Sequence, residues 1–354
     1  MPETGASEMN EALSLWRSPL DKVALAGAGA LSNRQPRCSV SIPYNEDFSA
    51  MTVYNYGYYF SPPATSESAL AAMLLAMDPS SRGNIGSAAF IPQQSLTMGD
   101  VSYFPFIVPD QCNIFSSGTG GSGGSPPFHH FVIEVSGGVT FLSCSGSAFT
   151  TGGTYFQWLA FHWVGSTNID DTCILAATGN CCAIRCTFTD CPTAFYAQAP
   201  GCALKQCTIE YENTMDPIDA TAVVIASSQC AVLGPSEFLQ SEISAGGPMA
   251  CTCISVQDGA DHTVIADMHI ANWTAGVDFS QPGGSANTHI RNCEIQCYFT
   301  ALNIEVGSDE PVTGVKVTST LLTRGNDSGG SGSSSPVVLI DPVATGTVYS
   351  VTSR

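Results

Sequence analysis

An apolar residue, two others, a small or soft residue, one other and a second apolar residue recur along the second half of this chain. The pattern reads Trp158–Phe161–Trp163, Ala183–Cys186–Phe188, Leu204–Cys207–Ile209, Phe238–Ser241–Ile243, Ile265–Met268–Ile270, Ile290–Cys293–Ile295 and Val317–Thr320–Leu322. Successive final members lie 25, 21, 34, 27, 25 and 27 residues apart. A second pattern, Thr193-Ala194, Thr221-Ala222, Thr274-Ala275 and Thr300-Ala301, leads each time into an apolar run such as Val223-Val224-Ile225. Short strand-like segments with Gly, Pro, Asn and Asp between them, at periods of 20–50 residues, describe the coils of a solenoid.

The spacing chooses the kind of solenoid. The last two members of the first pattern stand two apart, so they share one face of a strand, and the offset of three before them marks a bend. Outside one N-terminal segment, no stretch sustains the i, i+3, i+4, i+7 spacing of a helix. The runs are short and rich in Val, Ile, Thr and aromatic residues, which favours strands. The leucine-rich consensus of the rival solenoid is absent. These features predict an all-β chain wound as a right-handed parallel β-helix. Stacked coils lie about 4.8 Å apart, so equivalent positions form columns, and Phe161, Cys186, Cys207, Met268 and Cys293 are expected in one interior column.

Composition narrows the partners. The 354 residues include 30 acidic and 11 basic side chains, for a formal charge of −19. That balance opposes binding to nucleic-acid phosphates and to anionic membranes. No apolar run approaches the ~20 residues of a membrane span. The 15 cysteines could form a secreted disulfide framework. Met1–Asn10 is acidic, however, and no apolar core follows it, so no signal peptide is read there. Several cysteines fall on expected interior columns, where Cys behaves as a small hydrophobe. Mostly buried free thiols are therefore expected.

In chain order, Met1 to about Arg37 reads as an arm, with Ser7 able to cap a short helix carrying Met9, Leu13 and Trp16. Tyr54, Tyr56 and Tyr58 are expected on one strand face. Ser66 to Met77 is the one long helix, preceded by Pro62-Pro63 and ended by Asp78-Pro79. Gly83, Gly86, Ala88-Ala89-Phe90-Ile91-Pro92, Phe106-Ile107-Val108-Pro109 and Ile114-Phe115-Ser116-Ser117-Gly118 follow it. A helix of this Ala-Leu-Ala-Ala type, a Gly-rich turn, a strand ending in Pro and a later strand–Gly segment resemble the start of pectate-lyase-like β-helices, a group that includes phage tailspikes. The resemblance runs from about Ser66 to Leu322. It implies that the helix caps the open end of the solenoid and covers its first edge. This chain departs from the family's usual start. Ser66-Glu67 stands where an Asp often begins the helix, and the Pro-Gly-x-Tyr turn reads Pro92-Gln93-Gln94-Ser95. The expected organisation is an anchoring arm over 1–60, cap helix and lead-in over 61–127, and parallel β-helix with short terminal strands over 128–354.

Candidate chemistry is carboxylate chemistry. Glycoside cleavage uses paired carboxyl groups, about 5 Å apart for retention and 6.5–9.5 Å for inversion. The carboxylates in range are Asp190, Glu210, Glu212, Asp216, Asp219, Glu237, Asp258, Asp278, Glu294 and Glu305. Of these, Glu210, Glu212 and Asp258 are the expected catalytic set. Lys205 and Arg291 hold equivalent places two residues before a column cysteine, and Arg185 lies one before its own; a lyase could draw its base from such a row. His129-His130, His162, His262, His269 and His289 lack metal-ligand spacing, as do Cys181-Cys182 and Cys251-x-Cys253. No metal and no cofactor are expected. Gly118 to Pro127 lacks the Lys-Ser/Thr ending of a phosphate cradle and reads as a surface loop. Asn272-Trp273-Thr274 and Asn326-Asp327-Ser328 are glycosylation sequons only if the chain is exported.

The expected function is that of a bacteriophage spike or fibre protein. It is located in the virion after assembly in the host cytoplasm, docked to other virion proteins through the arm, and directed at host surface polysaccharide. A homotrimer is implied by the tailspike resemblance. The alternatives are a polysaccharide-degrading hydrolase or lyase, and a purely structural capsid or tail component.

Overall fold

The computed structural model describes residues 54–55, 58–59, 67–68, 70–71, 74, 88–90, 96–109, 112–115, 131–135, 140–144, 154–157, 159–164, 171–211, 220–240, 251–279, 287–304, 312–324, 338–340 and 348–350. From Ala88 onward every strand pairing is parallel. One coil illustrates the rest. Cys182–Ile184, Thr187–Thr189 and Thr193–Ala197 are successive strands, and each pairs with its counterpart one coil later, in Ala203–Lys205, Thr208–Tyr211 and Thr221–Ile225. The chain therefore winds around three ladders, called sheets 1, 2 and 3 in the order each coil meets them. It is a parallel β-helix, as the spacing predicts.

The bore is filled by one inward row per sheet. Sheet 1 stacks Phe156, Ala183, Leu204, Val232, Ile265, Ile290 and Val317. Sheet 2 stacks Phe161, Phe188, Ile209, Phe238, Ile270, Ile295 and Leu322. Sheet 3 stacks Ile174, Phe195, Val223, Ile254, Val277 and Leu302. All but Leu322, which packs against them from the edge, are buried. Burying one such side chain is worth about 1.5–3 kcal/mol, so identical rungs add up to a continuous core. Phe161 and Phe188 stack with centroids 5.3 Å apart.

These registers correct the repeat as read from sequence. Phe161 lies under Phe188, so it is a final member of the pattern and stands outside the cysteine column. Phe238 is likewise a final member: its coil runs Val232, Ser236, Phe238, and the expected Phe238–Ser241–Ile243 is not a repeat unit. The cause is one extra residue: Gly234 and Pro235 stand between Leu233 and Ser236 where the next coil has only Asp267, and the ladder shifts register. In sheet 3, Ala275 rather than Thr274 stands over Thr252 and under Thr300, so Gly276 takes the small-residue place. A Cβ there would overlap the carbonyl oxygen of Ala301 and come within 2.6 Å of Ile295 Cγ2. Tyr54 and Tyr58 lie on two antiparallel strands, with Tyr54 opposite Tyr59, so they do not form a row along one strand.

The corners explain the columns. Between sheets 1 and 2 the chain turns on a residue with positive φ: Arg185, Gln206, Asp267, Asn292 or Ser319. Between sheets 3 and 1 the same conformation falls on Asn180, Gly201, Gln229, His262, Asn287 and Gly314. One left-handed residue turns the strand direction without adding length, and only Gly adopts it without steric cost. Immediately after the first of these turns comes the column Cys186, Cys207, Ser236, Met268, Cys293 and Thr320, all buried. At every place but that of Met268 the column residue is small and carries a donor, which suits a bend that leaves backbone groups to satisfy. Cys207 Sγ donates to Ala183 O at 3.5 Å, and Cys293 Sγ to Arg291 O at 3.2 Å. Ser236 Oγ accepts from Cys207 N at 3.1 Å, and Thr320 Oγ1 accepts from Cys293 N.

Every cysteine with a described side chain is a buried thiol, as expected. Burial pushes Cys182 and Cys297 up to about 12 and Cys293 up to about 11, far from the thiolate range that makes a cysteine reactive. At the N-terminal end Glu67, Ser68, Leu70, Ala71 and Leu74 have helical backbone. Leu70 and Leu74 join the core, and Glu67 Oε1 accepts from Gly99 N at 2.8 Å.

Candidate functional site

The outer faces of the three sheets differ in chemistry, because outward positions are the ones the bore does not constrain. Sheet 1 presents Ala203, Lys205, Ala231, Leu233, Val264, Ala266, His289, Arg291, Lys316 and Thr318. Lys205 and Arg291 share one row, as expected, but Leu233 and Ala266 stand between them. Arg185 sits at the corner, with Nε 2.9 Å from Gln206 Oε1. Sheet 2 presents His162, Thr189, Glu210, Leu239, Ala271, Gln296 and Thr323 in one row. Thr187, Thr208, Glu237, His269, Glu294 and Leu321 form the other.

Sheet 3 is the face best arranged to meet a ligand. Its outward row runs Ile107, Ser143, Leu175, Tyr196, Val224, Ser255, Asp278 and Asn303. It passes from apolar and aromatic to polar along the stack. Val224 and Ser255 point out of the bore yet are only 6% and 5% exposed. Asn303 Nδ2 donates to Asp278 Oδ1 at 2.8 Å. Asn303 Oδ1 is buried with no hydrogen-bond partner among the described residues. Sheet 3 is also flanked by the long connections: 212–219 and 241–250 enter it, and 280–286 and 305–311 leave it.

The structure separates the expected catalytic set. Glu210 is half-buried on the outer face of sheet 2. Asp258 is exposed in the turn between sheets 3 and 1, the corner that sheet 2 does not touch. Glu212, with Asp216, Asp219 and Glu305, lies outside the described residues. On the outer face Glu210 has Glu237 one rung up and two residues back, about 8 Å between Cα atoms from strand geometry, and Asp190 N donates to the Glu210 carbonyl oxygen at 2.9 Å from the rung below. Glu294 stands one rung above His269, which stands one rung above Glu237.

Asp190 is 1% exposed at the end of the sheet 2 strand, with positive φ and its Oδ2 4.0 Å from His162 Nε2. Beside it, Tyr211 donates to Pro192 O at 2.7 Å and packs on Trp273 with centroids 4.8 Å apart. Burial drives the Tyr211 phenol well above its usual range. Asp190 is therefore built into the wall of the helix, which a list of acidic residues could not reveal. Asn303, His162 and His269 also went unsingled. Only their phase, two residues from a core position, pointed outward. Among the described residues no cluster of His, Cys, Asp and Glu could hold a metal ion.

Three parallel ladders joined at columns of left-handed residues define the class, a three-sided parallel β-helix. No protein-family model and no curated protein matches the chain. Among solved structures, the A-module of mannuronan C-5 epimerase AlgE4 from Azotobacter vinelandii superposes with a TM-score of 0.34 at 10% identity, covering 74% of this chain and 73% of that one. A polygalacturonase from Erwinia carotovora ssp. carotovora superposes with a TM-score of 0.31 at 10% identity, covering 82% and 97%.

Proposed function

We propose that this chain is a virion spike or fibre component of the bacteriophage type. Its β-helix presents the outer face of sheet 3 to a host surface glycan, and its N-terminal arm docks on other virion proteins. The observation that carries the glycan reading is the placement of Tyr196, Asp278 and Asn303 in one outward row. An aromatic face followed by a carboxylate–amide pair is the chemistry that stacks on a sugar ring and hydrogen-bonds its hydroxyls. The virion reading is supported by the tailspike resemblance in the sequence and by a core of unoxidised thiols, which suits assembly in a reducing cytoplasm.

Titration of the full chain against a panel of bacterial surface polysaccharides tests it. Binding is expected to at least one, weakened about tenfold by Tyr196→Ala and by Asn303→Ala, the loss of one stacking or hydrogen-bonding contact, with no new reducing ends released. Binding to no member of the panel, or binding unmoved by both substitutions, overturns it. A second reading, glycan cleavage, is favoured by one observation, the diagonal placement of Glu210 and Glu237 on neighbouring rungs of one outer face. It predicts release of reducing ends that Glu210→Gln and Glu237→Gln each abolish.

A further inference from the structure

The corner between sheets 3 and 1 carries a buried column of its own. Directly after the left-handed residues Asn180, Gly201 and Gln229 stand Cys181, Cys202 and Cys230. The next two coils place Thr263 and Thr288 there, and all five are buried. The cysteines occupy successive rungs. Ala203 N donates to Cys181 O at 2.9 Å, and Ala231 N donates to Cys202 O at 3.0 Å. Rung spacing sets neighbouring Cα atoms about 4.8 Å apart, inside the window of about 4.4–6.8 Å that a disulfide spans.

The side chains share one orientation. Cys202 Sγ donates to Thr178 O at 3.5 Å, and Cys230 Sγ donates to Ala199 O at 3.5 Å. Thr178 and Ala199 each stand three residues before the cysteine of the rung below. Each thiol therefore points down the stack, and Cys230 reaches toward Cys202. A hydrogen bond from the Cys202 thiol, helped by the backbone N–H groups of Cys202 and Gly201, holds the Cys230 thiol below its ordinary value despite burial. Cys186 and Cys207 are stacked in the same way at the corner between sheets 1 and 2. There burial, then Cys186, drives the Cys207 thiol well above its ordinary value. Two stacked pairs of equal geometry thus differ in which one favours a thiolate, the nucleophilic form. Cys230 also follows the exposed Gln229 in the chain, so a small oxidant has a short way to it.

We propose that Cys202 and Cys230 are a redox pair, which a hydroperoxide closes into a disulfide between successive coils. The Cys230 thiolate attacks the terminal peroxide oxygen. The O–O bond breaks, Cys230 becomes a sulfenic acid, and the leaving oxygen takes up the Cys230 proton as an alcohol or water. Cys202 sulfur then attacks Cys230 sulfur, and the S–O bond breaks. Hydroxide leaves with the Cys202 proton as water. Two thiols have lost two electrons, and the peroxide has gained them. The bond clamps the coil that carries Tyr196 to the one that carries Val224, and a dithiol reductant reverses it. It forms whatever sheet 3 binds.

The reduced full chain, freed of reductant, is treated with a few equivalents of hydrogen peroxide under native conditions. Remaining thiols are blocked with iodoacetamide, and the disulfides are mapped by mass spectrometry. Among the cysteines with described side chains, Cys202–Cys230 is expected to form first, at least tenfold faster than Cys186–Cys207. Dithiothreitol is expected to restore both thiols. The oxidised chain is expected to have a urea midpoint about 0.5–1 M higher, since the bond closes a whole coil. Cys202→Ser is expected to leave Cys230 as a sulfenic acid trapped by dimedone, and Cys207→Ser to leave the Cys202–Cys230 link unchanged. Ser236 already fills the column of Cys207 one coil on, so that variant keeps the fold. Cys186–Cys207 forming first overturns the proposal. So does a Cys202–Cys230 link that appears only in urea, or a midpoint that the link does not raise.

Discussion

Between sheets 1 and 2 the chain turns on one left-handed residue in coil after coil: Arg185, Gln206, Asp267, Asn292 and Ser319. Between sheets 2 and 3 it crosses by Asp190–Pro192 in one coil, by Asn272 in another, and by the segments 212–219 and 241–250 in others. The first corner is short because the ladders on both sides of it must stay in register; the one described coil that adds a residue there absorbs it as a bulge at Gly234-Pro235, and Ser236 and Phe238 keep their inward places. The second can vary because a loop that leaves and rejoins the same rung moves no core residue. The tight corner therefore sets the coil, and the variable corner beside sheet 3 is where a surface can diversify without cost to the bore.

The comparison breaks first at Gly234, where the tight corner carries its one described insertion. A Cβ there would overlap the carbonyl oxygen of Asp267 and stand 2.9 Å from Ser236 N. Both are backbone atoms, one of the turn in the next coil and one of the same turn. Gly234→Ala is expected to cost on the order of 4 kcal/mol or more, read as loss of a cooperative urea transition. A transition within 1 M urea of the parent would show that this corner tolerates slack.

At the variable corner the interior is closed by aromatic packing instead of by backbone. Trp273 is fully buried, donates Nε1 to Phe238 O at 2.9 Å and packs on Tyr211. Trp273→Ala is expected to cost about 3–5 kcal/mol through the cavity it leaves, while the strand signal in circular dichroism persists. Tyr211→Phe removes only the hydrogen bond to Pro192 O and is expected to cost about 1–2 kcal/mol. If Trp273→Ala instead abolished the fold, the division of labour between the corners would be wrong.

A milder probe of the tight corner is Asn292, at φ 51° with Nδ2 3.2 Å from Asp267 Oδ1. Val adopts that conformation poorly, and Asn292→Val is expected to cost about 1–2 kcal/mol. Asn292→Gly keeps the conformation accessible and is expected to fall within about 0.5 kcal/mol of the parent. Equal denaturation midpoints for the two variants would remove the left-handed turn from the argument.

What the sequence disclosed and what it hid divide along the same line. The inward rows were legible because alternation, small column residues and coil-length periods are properties of the bore: Cys186, Cys207, Met268 and Cys293 fall in one column as expected. Alignment failed where the bore gives no unique phase. Trp158, Phe161 and Trp163 offered several apolar triplets, and the pairing of Phe161 with Phe188 is decided by the coil above. The Gly234-Pro235 insertion moved Phe238 from the first place to the last. The site was less legible still. Glu210 and Asp258 are both acidic and one coil apart, and nothing in one dimension says that the sheet 2 face and the corner between sheets 3 and 1 look away from each other.

The smallest effect concerns pH and the cationic face. His289 lies on sheet 1 beside Arg291 and Lys316, with Nε2 2.9 Å from Thr318 Oγ1. Burial, then Lys316 and Arg291, hold its imidazole below the usual value of 6.5. The unfolded chain therefore binds the proton more tightly than the folded one. The stability tied to the neutral ring is fully present above pH 6.5 and is lost as pH falls through 6.5 toward the lower folded value. The side chain is half-buried and open to screening, so the contribution is below about 0.5 kcal/mol. The urea midpoint is expected to drop from pH 7.5 to 5.5 slightly less in His289→Gln than in the parent, the carboxylates being common to both. A drop in His289→Gln at least as large as in the parent would remove this imidazole from the pH response.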